Sequence, residues 1–459
     1  MKLHRSAGAR APIFTTVSAA IFLSGCMTAT PYQAPDMRLS DRYSVVRPVQ
    51  QMSEADWRWW THFGDPVLNK LVDEALVENL SLVEARSRVR QAEANLRGAS
   101  SGISGDGRLE VDAASDGTEA GELGLSAIFD VFGRKRARTE AARARLQAEQ
   151  LGGIDAQRRL LLRLAQSYIE LRFNQQTLAE RNRDLRSRRM TLRDITTQKE
   201  NGVATELDVV RAKALVAEIQ VDLPKLGANI VRERNRISTL LGKPVGSLNI
   251  DLSYQGRQPA PRGVANLGVP ADLLRTRPDV RRAERLYAAA VSDIDSARAA
   301  RYPSLSLSGV VRAPFGGGST SETLTAGLAV PVFSQGTLAA SVDASEESAN
   351  QAYLQWRSAV LSAVEEVETS LSALHASYQA VEAARRVVSL NEQALALSRR
   401  LLESRGNLTV LDLLDRERTL TNSRTILARN QRDVAIDFVT LRVALGSGIT
   451  VRPKAEETN

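Results

Sequence analysis

Residues 202–209 read GVATELDV and residues 406–413 read GNLTVLDL. Gly202 matches Gly406, Thr205 matches Thr409, Leu207 matches Leu411 and Asp208 matches Asp412, all at a separation of 204. In each copy a glycine ends one helical pattern, and a threonine suited to cap the next helix follows. The separation holds without gaps to Leu241-Gly242 and Leu445-Gly446. Along the way Val209, Val216, Leu223, Ile230 and Ile237 align with Leu413, Leu420, Leu427, Val434 and Leu441. A match of that extent marks a duplicated unit built around a helical hairpin with a tight tip.

Upstream of the tips the chain has no proline between Pro66 and Pro224, or between Pro331 and Pro453, which leaves room for very long helices. Leu164, Leu171, Leu178, Leu185 and Leu192 recur every seven residues in the first space. Val360, Val367, Leu374, Val381, Val388, Leu395 and Leu402 do so in the second. That period predicts coiled-coil packing. A helix from Arg134 to Glu200 would be about 100 Å long at about 1.5 Å per residue, more than a compact globule holds. Pro224 faces Ala428 in the other copy, so a kink is expected in copy one only.

Further upstream, Ala85, Ala92, Leu96 and Ala99 pair with Ala283, Ala290, Ile294 and Ala297 as a shorter helix. Between the short and the long helix the period changes to two. Leu109, Val111 and Ala113, then Leu123, Leu125 and Ala127, alternate with polar residues or glycine; Leu305 and Leu307, then Leu324, Ala326, Leu328 and Val330, do likewise. Each set reads as a β-hairpin, with loops at 116–121 and 315–321. The unit is therefore helix, hairpin, long helix, turn, helix. Repeat 1 is expected at 53–241, with strands about 107–129 and a helical hairpin about 133–241. A connector follows at 242–270. Repeat 2 is expected at 271–446, with strands about 303–333 and a helical hairpin about 335–446, and a polar tail at 447–459.

Composition narrows the function. The 459 residues are 43% hydrophobic and 25% charged, enough to bury a large core. One cysteine, Cys26, and three histidines, His4, His62 and His375, exclude a disulfide framework, a cysteine-rich zinc site and most histidine catalysis. Gly316-Gly317-Gly318-Ser319-Thr320 lacks the lysine of a phosphate-binding loop and lies between strands. Adjacent carboxylates such as Glu365-Glu366 have no histidine or nucleophile beside them. No enzyme, cofactor or metal is expected. The formal charge of +8 invites a nucleic-acid reading, but there is no recognition motif, and the basic run Arg134-Lys135-Arg136 simply opens a helix.

The N-terminus supplies a localisation. Positive charges at 1–10, an apolar run at 11–23 and small residues at Ser24-Gly25 form a secretory signal over 1–25. Cys26 sits directly after it, a position that resembles the lipobox of bacterial lipoproteins, whose thiol is diacylated; the alternative is a small buried core cysteine. Residues 26–52 then read as a lipidated, extended linker.

No stretch after the signal is apolar enough for a transmembrane helix, whereas strands with one apolar face suit a tilted barrel. Four strands cannot close one, so the barrel has to be shared between chains. The residues that settle the matter are Trp59 to Pro66 (WWTHFGDP), Asp130 to Arg134 (DVFGR), Leu273 to Val280 (LLRTRPDV), Ala297 to Leu307 (ARAARYPSLSL) and Pro331-Val332-Phe333. In this order they resemble the TolC family of outer-membrane efflux ducts, in its NodT-like lipoprotein branch. The resemblance implies a mainly α fold with a membrane β-barrel: a homotrimer with a twelve-stranded barrel and a twelve-helix periplasmic tube. It further implies outer-membrane lipid around the barrel, a periplasmic adaptor and an inner-membrane transporter of the resistance-nodulation-division class. The expected function is the exit duct of a tripartite efflux pump for small molecules. The exit duct of a type I protein-secretion system, and a periplasmic coiled-coil scaffold or adaptor without a pore, are the alternatives.

The family's periplasmic aperture is ringed by charged side chains just after the second tip. The matching residues are Asp412, Asp415 and Arg418, spaced i, i+3 and i+6 on one helix face. Asp208 and Arg211 hold the corresponding places in copy one. An ordinary solvated pair is the plain alternative. The tips themselves, Gly202, Val203 and Ala204 in copy one and Gly406, Asn407 and Leu408 in copy two, are where the family meets the adaptor. Trp57, Trp59 and Trp60 are expected to pack.

Overall fold

A computed structural model describes residues 32–37, 39, 58–101, 104–113, 119–253, 257–262, 277–315, 317–403 and 410–447. Cys26, Trp57 and the second tip at Gly406, Asn407 and Leu408 lie outside them. The chain divides into two compact units. One is built mainly from Val89–Gln150 and Arg282–Arg357, the other mainly from Leu151–Arg281 and Ser358–Asn459.

The first unit holds four strands, β1 (Ser104–Ala113), β2 (Glu119–Phe129), β3 (Ser304–Pro314) and β4 (Ser321–Ala329). They form one antiparallel sheet in sequence order, because β2 of the first copy pairs with β3 of the second. The alternation runs in register across the four strands, except that Glu119 and Glu322 fall on the apolar face near the hairpin loops. Leu109 lies opposite Leu123, Leu123 opposite Val311, Leu125 opposite Gly309, and Gly309 opposite Leu324. Phe129, Leu305 and Leu328 continue the same face. The reverse face carries Asp106, Arg108, Glu110, Glu122, Ser126, Ser306, Ser308 and Thr323. Leu324 on the apolar face is 76% exposed, and Leu109, Leu125 and Leu328 are exposed too.

One reading of the strands needs correction. The first loop is shorter than 116–121, since Glu119 to Gly121 belong to β2 and pair with β1. The strands of the first hairpin have 10 and 11 residues and those of the second 11 and 9. Gly105 and Gly107 hid the start of β1, because a glycine leaves no side chain to mark the alternation.

Helices make up the rest of the first unit and nearly all of the described part of the second. Trp59–Phe63 form a 3-10 turn, followed by α1 (Pro66–Glu78) and α2 (Leu80–Ser100). Asp65 caps α1 through the Val67 and Leu68 N–H groups and accepts a 2.7 Å hydrogen bond from the Tyr168 hydroxyl. Trp59 and Trp60 are buried, edge to face, with ring centroids 5.7 Å apart. The long helices are α3 (Arg134–Glu200) with 67 residues and α6 (Gln335–Glu403) with 69. Their partners are α4 (Glu206–Leu240), continuous through Pro224, and α7 (Val410–Ala444), with α5 (Pro278–Ala299) opening the second copy. Leu164, Leu171 and Leu185 on α3 and Val360, Val367, Leu374, Val381, Val388 and Leu395 on α6 are buried. Both α4 and α7 end in the same glycine motif. The N–H of Gly242 donates to Thr239 and that of Lys243 to Ser238; Gly446 donates to Val443 and Ser447 to Arg442. Gly242 has φ +72°, and a Cβ there would sit 2.6 Å from the Glu78 carbonyl oxygen, so glycine is required twice over.

A buried charge network ties the second unit together. Arg277, 1% exposed, donates to both carboxylate oxygens of Asp279 and to the Ala444 carbonyl at 3.0 Å, and pairs with Glu366 at 2.8 Å. Arg158 donates to the Val443 carbonyl at 2.9 Å and pairs with Asp155 and Asp279. The last carbonyls of α7, which have no helical partner, are thus met by guanidinium groups from two other segments. Burial alone would raise the Asp279 carboxyl, but the bonds from Arg277 and the charges of Arg158 and Arg277 hold it below the usual carboxylate range. Its contribution is therefore present at neutral pH and is lost as pH falls through that depressed value. Replacing Arg277 by Met leaves Asp279 and the Ala444 carbonyl uncompensated and should lower stability by about 3 kcal/mol in urea unfolding of the purified protein. The exposed Arg88–Glu84 pair serves as control, where Arg88→Gln should change it by less than about 0.5 kcal/mol.

Candidate functional site

The first tip is fully described. Helix α3 ends at Glu200, and Gly202 turns the chain with φ +76°. The N–H of Gly202 donates to the Lys199 carbonyl at 2.9 Å and that of Val203 to Gln198 at 2.8 Å, which satisfies two carbonyls at the helix end. Thr205 then caps α4 in a reciprocal box. Its hydroxyl oxygen accepts from the Asp208 N–H at 3.2 Å, and Asp208 accepts from the Thr205 N–H at 3.0 Å. Ala204 packs on a buried cluster of Ile195, Val209, Ala212 and, from α7, Leu414. Val203 is left 77% exposed at the apex. Of the three tip residues, one turns the chain, one is anchored and one is presented outward.

These facts separate the candidates by environment. The carboxylate of Asp208 is held below the ordinary range by the Thr205 hydroxyl and N–H, so it is engaged in the cap. Arg211 is exposed one turn further along α4. In copy two, Asp412 is exposed in the first turn of α7, and Asp415 and Arg418 form an exposed pair at 2.8 Å. Leu414, between them, enters the same cluster as Val209, which brings the start of α7 beside the first tip. The structure thus gathers Val203, Asp208 and the charged start of α7 at one end of the helical unit.

Several charged groups nearby escaped the sequence reading. Lys199 and Glu206 bridge the first tip across the turn, and the lysine holds the Glu206 carboxyl below its ordinary range. Farther from the tips, a cavity of about 550 Å³ is lined by Thr177, Asp184, Leu395, Arg399, Glu417 and Leu420 among others. In it Glu417, 7% exposed, pairs with Arg399 at 3.0 Å. The only sequence signal for such pairs is opposite charge on the two sides of a turn. Among the described residues there is no group of three or more His, Cys, Asp or Glu that could hold a metal, and no helix long and apolar enough to cross a membrane.

Comparison with known proteins agrees with this geometry. Residues 71–243 and 269–447 match the family described as Outer membrane efflux protein, one block for each copy. Nodulation protein T of Rhizobium leguminosarum bv. trifolii is 33% identical over 96% of this chain and 98% of its own length. The cation efflux system protein CusC of Escherichia coli (strain CFT073) is 29% identical over 94% of this chain and 97% of its own. Among solved structures, the outer-membrane channel OprN superposes with a TM-score of 0.83 at 27% identity, over 92% of this chain and 99% of that one. CusC superposes with a TM-score of 0.79 at 25% identity. The likeness covers both hairpins and both copies, and it is to channels, not to enzymes. This chain belongs to the outer membrane efflux protein family, in its NodT-like branch, and is an outer-membrane exit duct whose helices extend into the periplasm.

Proposed function

We propose that this chain is the outer-membrane component of a tripartite efflux pump, working as a homotrimer with a periplasmic adaptor and an inner-membrane transporter of the resistance-nodulation-division class. The observation that carries the reading is the sheet. Its apolar face suits lipid and its polar face suits an aqueous lumen, while β1 and β4 have no second neighbour among the described residues. Three copies would supply twelve strands and close it. Small molecules are the proposed cargo. Relatives of similar identity are named for different cargoes, pyoverdine export in one and cation efflux in another, which fits a duct whose partners choose the cargo.

In this reading Asp412, Asp415 and Arg418 ring the periplasmic aperture, with Asp208 and Arg211 as the weaker set in copy one. Val203, with Gly202 and Ala204, and its counterparts Gly406, Asn407 and Leu408 meet the adaptor tips. Repeated around a threefold axis, carboxylates repel one another and attract cations, and Asp–Arg contacts between chains hold the aperture closed. Cys26 would carry the lipid, with the barrel as the second membrane attachment.

Asp415→Ala with Arg418→Ala is expected to raise single-channel conductance several-fold in planar bilayers; unchanged conductance removes these residues from the gate. Leu324→Arg should destabilise the barrel by about 2–4 kcal/mol and abolish heat-modifiable mobility on gels, whereas Thr323→Arg, on the reverse face, should leave it intact. Equal effects of the two would contradict the assignment of faces. Labelling with a radioactive fatty acid should mark the wild type and not Cys26→Ser, and label retained in the variant would exclude lipidation at that residue.

A further inference from the structure

The duplication contains its own control at the junction of sheet and helix. Residues 129–138 (FDVFGRKRAR) and 330–339 (VPVFSQGTLA) align at a separation of 201, and α3 and α6 begin at the equivalent residues Arg134 and Gln335. The backbone is built the same way in both. The N–H of Val131 donates to Phe129 at 3.1 Å and that of Val332 to Val330 at 2.9 Å; Ala137 donates to Gly133 and Leu338 to Ser334, each at 2.9 Å. Copy two makes this turn with Gln335, Gly336, Thr337 and Ala339, where copy one has Arg134, Lys135, Arg136 and Arg138. The turn itself needs none of those cations.

Local physics argues against them. The start of a helix carries the positive end of its dipole, which favours anions, yet the first turn of α3 has no acidic residue. Asp130 opposes the cluster in part, its carboxylate accepting from the Lys135 and Arg136 N–H groups at 2.9 and 3.1 Å. Burial, and next the charge of Arg138, hold the Arg134 guanidinium below its ordinary range. A cavity of about 480 Å³ lies here, lined by Arg134, Lys135 and Arg138 together with Phe129, Phe132 and Tyr302. Phe132 stacks on Tyr302 at 5.1 Å between centroids, while Phe129 and Val131 are exposed. Phe129 ends the apolar face of the sheet at the end that joins the helices, which is the periplasmic side of the membrane.

A site that combines clustered guanidinium groups, a roomy cavity and an exposed apolar margin at that level has the chemistry of a lipid headgroup pocket. We propose that Arg134, Lys135 and Arg138 hold the phosphate headgroup of an anionic phospholipid of the inner leaflet of the outer membrane, its acyl chains lying along Phe129 and Val131. The cations come from copy one alone, since copy two has Gln335, Gly336 and Ala339 at the equivalent positions.

Native mass spectrometry of the full-length protein from detergent tests this. Dioleoyl phosphatidylglycerol should be retained about ten-fold over dioleoyl phosphatidylcholine. Millimolar inorganic phosphate should not displace it. The variant R134Q/R138A, which carries the residues of copy two at those positions, should bind both lipids equally. A preference that survives in the variant, or displacement by phosphate alone, overturns the proposal. Should the double variant fail to assemble, Arg138→Ala alone is expected to weaken the preference several-fold, and no change there overturns it equally. Channel conductance should be the same in all variants, so failure of the lipid site is distinguishable from failure of the proposed efflux role.

Discussion

A β-sheet in hydrocarbon cannot leave an edge unpaired, because each stranded N–H or C=O there costs several kcal/mol. This sheet has two edges, β1 and β4, and an apolar face that water would not stabilise. The remaining architecture accommodates that demand. Duplication supplies two hairpins in one chain, pairing of β2 with β3 fuses them into one register, and the long helices start immediately at the strand ends. In the proposed trimer each chain is a segment of a wall, and the two faces of the sheet suit that closed state.

The helical unit answers a different difficulty. Helices ending in a protein interior expose carbonyls with no partner, and α7 ends beside segments from both copies. Arg158 and Arg277 meet those carbonyls and are themselves neutralised by Asp155, Asp279 and Glu366. Buried ion pairs of this kind add little net stability over an apolar core. What they add is definition, since Arg277 cannot be satisfied unless α5, α6 and the end of α7 are all in place.

Much of this was legible in the sequence. The heptads on α3 and α6 and the tip glycines could be read because no proline interrupts the first and only a left-handed turn suits the second. The sheet is legible where apolar residues alternate and illegible where Gly105 and Gly107 leave no side chain to count, so the start of β1 is hidden. Pairing with β1, a long-range fact, decided that Glu119 to Gly121 are strand. At the first tip the same spacing carried two meanings. Thr205 and Asp208 form a capping box, so the carboxylate that resembles a gate residue also has a local structural task. Arg277 could not be foreseen, since nothing in LLRTRPDV tells that its second arginine is buried against two carboxylates and the end of α7.

The order of the strands bears on how the chain matures. β1 and β2 are joined by a short loop and can meet early, but Leu125 faces Gly309, nearly two hundred residues downstream. Closing so long a loop is slow, and it cannot begin until the second copy has been made. Through that interval the first hairpin exists with its greasy side and both margins available to any other chain that passes. The intervening α3 and α4 form from near-neighbour contacts, so they can shorten the effective distance before the strands meet. Maturation of this duct is then a race between internal zippering and aggregation, and the speed of helix formation in copy one sets the odds.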